Sequence, residues 1–152
     1  MTKTLSVAAI QNGTVIDHIN AGEALRIVHL LDLLEKKRKV TIGLNLPSQR
    51  MKFKDIIKIE NHVINHKEAN EITVFAPEVS INVIENFEVV QKITTTLPPN
   101  ITNVFECANP ACVTHTETVE TFFNIEAQGK VVNLTCKYCE KTFNRNQVKV
   151  KI

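Results

Sequence analysis

An α+β fold in two parts is what this 152-residue sequence predicts, and three features carry the prediction. Short β-rich runs alternate with two helix signals over the first 97 residues. The stretch "ITTTLPPN" at 93–100 breaks that pattern, and all four cysteines lie beyond it. Pro98 and Pro99 cannot donate ladder hydrogen bonds and favour an extended connection, so the expected units are 1–97 and 98–152.

In the first unit, "LSVAAI" (5–10) and "TVIDHI" (14–19) read as strands flanking the turn dipeptide Asn12-Gly13. A helix is predicted from about Ala21 to Lys37, opened by Asn20 with Glu23 in a capping-box arrangement. Leu25, Val28, Leu31 and Leu34, with Ile27 and Leu30, make its apolar face, while Asp32, Glu35 and Lys36 point outward. The basic run 36–39 suits the dipole at a helix C-terminus; it reads as a solvated end, with a polyanion site as the alternative. "KVTIGLNLP" alternates strictly, placing Val40, Ile42, Leu44 and Leu46 on one face until Pro47 stops it. "KDIIKIEN" (54–61) is a strand. Asn65 and Glu68 cap a second helix to about Phe75, and "VSINVI" and "FEVVQK" close the unit. From residue 14 the order is β-α-β-β-α-β plus one hairpin strand. That is a ferredoxin-like pattern, an antiparallel sheet with both helices on one face.

The second unit contains only short β runs with Gly129 at a turn, too little for a large core, so a metal or disulfides are expected to hold it. Its cysteines read Cys107-x4-Cys112 and Cys136-x2-Cys139, 23 residues apart. The N-terminus has no signal-peptide core and no 18-residue apolar run exists, so a reducing, cytoplasmic setting is expected and disulfides are disfavoured. The three Asn-x-Thr sequons are then accidental. Two close cysteine pairs at the two ends of a small β unit match one structural Zn²⁺ held by four thiolates, a closed site with no open position for substrate. The fold expected here is a small all-β zinc unit of zinc-ribbon or rubredoxin-like type. His115 reads as a residue outside the ligand set.

Charge excludes one large class. Residues 1–97 hold 12 Lys+Arg against 11 Asp+Glu, and 98–152 hold 6 against 5. Four thiolates around Zn²⁺ bring the second unit from +1 to −1. With one Tyr and no Trp, a basic stripe and stacking platforms are both missing, which argues against nucleic acid. No P-loop, dinucleotide fingerprint or nucleophile elbow occurs, so the chain reads as a binding protein. Lys52, Lys54 and Lys58 cluster on one strand, Lys92 ends another, and Asp17-His18 ends a third. Such lysines could converge on a phosphate, and a solvated sheet face is the competing reading. Likewise the loop with Asn109, Pro110 and Ala111, and Glu140 and Lys141 after the fourth cysteine, suit either a protein contact or open solvent.

Six segments in order, "NGTVIDHI", "VTIGLNLPS", "KDIIKIEN", "FAPEVSINVIENFEVV", "LPPNITNVFECANPACVTH" and "CKYCEKTF", resemble the regulatory chains of aspartate carbamoyltransferase over essentially the whole sequence. The resemblance implies a non-catalytic allosteric subunit serving pyrimidine biosynthesis. Its dimers would join catalytic chains in a dodecamer of two catalytic trimers and three regulatory dimers. CTP and UTP would inhibit and ATP activate, without membrane or nucleic acid as partners. It implies that Val7, Ala9 and Ile10 contact the base, that Asp17 holds the ribose with His18 beside it, and that Lys54, Lys58 and Lys92 meet phosphate and ribose oxygens. Asn82, Ile84, Phe87 and Val89 would line the wall, and Asn109, Glu140 and Lys141 would touch catalytic chains. The sequence departs from the enteric pattern at Thr4, Ala8, Phe87 and Ala111, the first two at the implied nucleotide pocket.

Overall fold

A computed structural model describes residues 8–151. The chain divides into two compact units, Met1–Thr96 and Leu97–Ile152. The first unit runs β1 (Gly13–Asn20), α1 (Ala24–Leu30), β2 (Val40–Ser48), β3 (Lys52–Glu60), α2 (His66–Phe75), β4 (Ser80–Glu85) and β5 (Glu88–Ile93). Its sheet has the order β2-β3-β1-β4-β5 with every pairing antiparallel, which is the ferredoxin-like arrangement extended by β5.

Register separates two faces of this sheet. Residues directly opposite across strands share a face, and neighbours along a strand alternate. One row runs Ile42, Ile57, Ile16, Ile81 and Ile93, and the last four are buried. They belong to the core with Ala24, Ile27 and Val28 of α1 and Ala69, Ile72 and Val74 of α2. Each isoleucine fully buried this way contributes about 1.5–3 kcal/mol. The adjacent row, Thr41, Lys58, Val15, Asn82 and Lys92, lies on the opposite face.

Four local expectations change. Residues 5–7 of the first predicted strand lie outside the described residues, and Ala8–Ile10 are not strand, so Asn12-Gly13 is no hairpin turn. Gly13 instead opens β1 at φ +140°, where an added Cβ would stand 2.0 Å from the Ile59 carbonyl oxygen. Helix α1 ends at Leu30, seven residues earlier than Lys37. Asp32 takes a left-handed φ of 55°, its N–H donates to His29 O, and Leu33 N–H donates to Val28 O. This is the Schellman pattern, in which Leu33 is buried beside Val28 while Leu34 is 82% exposed and Leu25 is exposed too. The Asn20/Glu23 capping box does not form, because Glu23 is itself the N-cap and its carboxylate pairs with Arg26. The cap comes from β3: Asp55 Oδ2 accepts from Gly22 N–H at 2.9 Å and Ala24 N–H at 3.2 Å. Pro47, finally, does not stop β2. It sits within this edge strand, opposite Phe53, where a missing N–H costs no ladder bond on the open side. A bulge at Leu44-Asn45 breaks the strict alternation, and Asp55 Oδ1 holds it through Asn45 N–H at 2.9 Å. The predicted Asn65/Glu68 capping box on α2 does form, with bonds of 2.8 and 3.1 Å.

The second unit holds a four-stranded sheet and a two-stranded ribbon. The sheet comprises β6 (Asn100–Thr102), β8 (Phe122–Gln128), β9 (Val131–Cys136) and β10 (Thr142–Asn144), in the order β10-β9-β8-β6. Strands β7 (Phe105–Glu106) and β11 (Lys149–Val150) make the ribbon. Phe105 and Phe123, both fully buried, meet edge to face at 6.3 Å, with Leu134 and Cys136 also fully buried. Among the described residues no helix is long and apolar enough to cross a membrane.

Candidate effector face and metal centre

On the open face of the first sheet, strand geometry gathers most of the predicted effector residues. Lys58, Asn82 and Lys92 share one cross-strand row, and Ile84 pairs with Val89 two residues along. Asp17 and His18 do not end β1; they form a bulge within it, opposite Ile56, with His18 at a left-handed φ of 58°. Asp17 Oδ1 accepts from Lys54 Nζ at 2.9 Å and from the His18 N–H at 2.6 Å. His18 Nδ1 lies 3.0 Å from Ser80 Oγ, and Lys58 Nζ donates to the Ala8 carbonyl at 2.7 Å.

The electrostatics follow from this crowding. Burial lowers the His18 pKa; Asp17 opposes it, while Arg50, Lys54 and Lys92 add to it. Burial also lowers Lys58, against Asp17. Lys54 and Lys58 therefore act on the Asp17 carboxylate, and Arg50, Lys54 and Lys92 on the neighbouring His18, a gathering of cations suited to a polyanion. Arg50 escaped the sequence reading, since no spacing signal links it to His18. Ile10 is buried and Ala9 exposed, and Phe87 projects from the β4–β5 turn, 64% exposed, with its N–H on the Gln11 carbonyl. Val7 and Thr4 lie outside the described residues.

In the second unit, two turns bring the four cysteines together. Cys107 follows β7, Cys112 precedes a 3-10 turn (Val113–His115), Cys136 ends β9, and Cys139 lies before β10. All four sulfurs lie within 4.8 Å of one another, with Cys107–Cys139 at 3.6 Å and Cys112–Cys136 at 3.8 Å. A tetrahedron with metal–sulfur bonds of about 2.3 Å has edges of about 3.8 Å, so the donor set fits a tetrathiolate metal. Backbone N–H groups of Asn109, Thr114, Tyr138 and Lys141 support the sulfurs of Cys107, Cys112, Cys136 and Cys139. Burial pushes the Cys107 and Cys136 thiols up. At Cys112 and Cys139 burial acts the same way but is outweighed. The Thr114 hydroxyl and N–H lower Cys112, and the Lys141 N–H with the Asn109 side chain lowers Cys139 to about 7. Three of the four sulfurs are buried, so to ionise they need a cation beside them, which the fourth sulfur helps to hold. Four protein ligands close the site, so the metal is structural. Asn109 is partly buried, and Glu140 (φ 63°) and Lys141 are exposed beside the second turn.

Comparison with known proteins divides the chain in the same place. Residues 5–96 match the family described as aspartate carbamoyltransferase regulatory chain, allosteric domain. Residues 99–149 match its metal binding domain. Relatives named aspartate carbamoyltransferase regulatory chain include one from Vibrio parahaemolyticus, 47% identical over 95% of this chain and 94% of its own. One from Photorhabdus laumondii is 48% identical over the same shares, and one from Chromobacterium violaceum is 45% identical over 97% of each.

Proposed function

The chain belongs to the aspartate carbamoyltransferase regulatory chains, a non-catalytic family with an allosteric and a metal-binding domain, and from that premise we propose that it senses nucleotides on its open sheet face. The observation that carries this reading is the cross-strand row of Lys58, Asn82 and Lys92 beside the Asp17–Lys54 pair. Lys58 and Lys92 stand three strand spacings apart, about 14 Å, a span comparable with an extended nucleoside triphosphate. Lys54, Lys58 and Lys92 then meet phosphate and ribose oxygens. Asp17, with His18 beside it, holds the ribose. Val7, Ala9 and Ile10 meet the base, and Ile84, Phe87 and Val89 wall the site. CTP and UTP act as inhibitors and ATP as activator.

Zn²⁺ is the metal of Cys107, Cys112, Cys136 and Cys139. The unit it holds, 98–152, docks on cytoplasmic catalytic chains through Asn109, Glu140 and Lys141. Regulatory dimers link two catalytic trimers into a dodecamer in pyrimidine biosynthesis. The nucleotides bias a two-state equilibrium of that assembly, so each must bind its two states with different affinity. Reconstitution tests the reading. Zinc-loaded chain mixed with the catalytic trimer of its own organism should give a larger complex whose aspartate saturation responds to ATP and CTP. No complex, together with no heat on titrating nucleotide into the chain, would overturn it.

A further inference from the structure

The two cysteine turns are closed differently. Between Cys136 and Cys139 the backbone suffices: Glu140 N–H donates to Cys136 O at 2.9 Å and Cys136 N–H to Lys141 O at 3.0 Å. The Cys107–Cys112 loop has two more residues to order between its ligands. The 3-10 turn that follows reaches back to it. Thr114 Oγ1 donates to Cys112 Sγ at 3.2 Å. His115 Nε2 stands 2.9 Å from Cys107 O and 3.0 Å from Asn109 O. Carbonyl oxygens only accept, so Nε2 carries a proton and shares it between them. A protonated Nε2 offers no lone pair to a metal. Asn109 is held from the other side as well: its carbonyl also accepts from Cys112 N–H at 3.0 Å, and its Oδ1 from Ala111 N–H at 3.1 Å.

We propose that His115 is a positioning residue of the metal centre: its Nε2–H clasps the Cys107 and Asn109 carbonyls, holds the longer cysteine loop in ligating shape and so retains the metal. The clasp also keeps Asn109, at the proposed docking surface, in a single conformation. A ring donor serves here because one N–H must reach two carbonyls two residues apart, from a turn that leaves the loop at Cys112.

The inference rests on the tetrathiolate zinc reading, and cobalt substitution of the full chain separates the two. Wild-type cobalt protein should show thiolate-to-cobalt charge-transfer bands, and their absence would overturn both. Outer partners of this kind are worth about 10- to 100-fold in metal affinity, and with that loss expressed in release, zinc transfer from the full chain to a chromophoric chelator should be faster by a like factor for His115→Ala. His115→Gln places an amide N–H near the position of Nε2 and should recover most of the retention. Nitrogen NMR of the wild-type ring should show a proton on Nε2. A proton on Nδ1 alone, release from His115→Ala at the wild-type rate, or equal loss in the Ala and Gln variants would each overturn the clasp. Should the Ala variant not fold, the wild-type tautomer and the Gln variant decide.

Discussion

Replacing Asp55 by asparagine perturbs a carboxylate that is fully buried and bonded at both oxygens. Oδ2 accepts from Gly22 and Ala24 at the start of α1, and Oδ1 from Asn45 in the β2 bulge. An amide has one oxygen. Turned toward α1 it leaves the Asn45 N–H facing another donor, and turned the other way it orphans two. The favourable orientation still costs about 1–3 kcal/mol for the unsatisfied group, and the surviving bonds weaken without the charge. About 3 kcal/mol in total is therefore expected, a urea-midpoint shift of about 1.5 M or more for an m-value of about 1–2 kcal/mol/M. The chain supplies its own two probes. Both α-helices lie in the first unit, so ellipticity at 222 nm follows that unit. Tyr138, the single tyrosine of a chain without tryptophan, reports the second by fluorescence. The ellipticity transition of zinc-loaded Asp55→Asn should move, and the tyrosine transition should stay. A shift below about 0.5 kcal/mol, the range of an ordinary surface change, would refute the capping role, and equal shifts in both signals would refute its confinement to one unit.

Four further outcomes are expected. Gly13→Ala should destabilise the first unit by several kcal/mol on the same ellipticity assay, since its Cβ would meet the Ile59 carbonyl oxygen at 2.0 Å; a near-neutral result would refute the close approach. Lys58→Met should weaken CTP and ATP by at least about tenfold in calorimetry, the loss of one charge-assisted phosphate bond of about 1.5–3 kcal/mol, while leaving zinc content unchanged. Cys139→Ala should lose the metal and assembly with catalytic chains but keep most nucleotide binding; loss of both would argue against separable units. His18, whose pKa lies below the ordinary 6.5 in the folded chain through burial and nearby cations, should titrate by NMR below that value. Because the unfolded ring takes the proton first, its contribution to stability is present above pH 6.5 and is lost as pH falls through the folded pKa. A bound triphosphate should raise that pKa, so binding between the two values takes up protons. Proton release would contradict a phosphate near this ring.

Periodicity and spacing made much of this protein legible. The second helix was readable to its cap because Asn65 and Glu68 are three residues apart, and that bond is local. The cysteine pairs announced a metal because short loops deliver two ligands each. The first helix is not legible at either end, since its start is capped by Asp55, more than thirty residues later, and its end depends on Asp32 adopting a left-handed turn that buries Leu33. The expected effector residues follow from the resemblance; spacing alone favours a solvated sheet face for the lysines.

By itself, the sequence determined the α+β class, the order of elements of the first unit from residue 14 onward, the even charge and the ligand set of the metal, all of which follow from residue types at short separations. Tertiary structure decided which lysines share a row, that Asp17 and His18 sit on a bulge, that Asp55 joins a helix to an edge strand, and that His115 reaches back over the cysteine loop. Those facts depend on register and on backbone groups meeting across long stretches of chain, where a one-residue slip would turn every side chain to the other face.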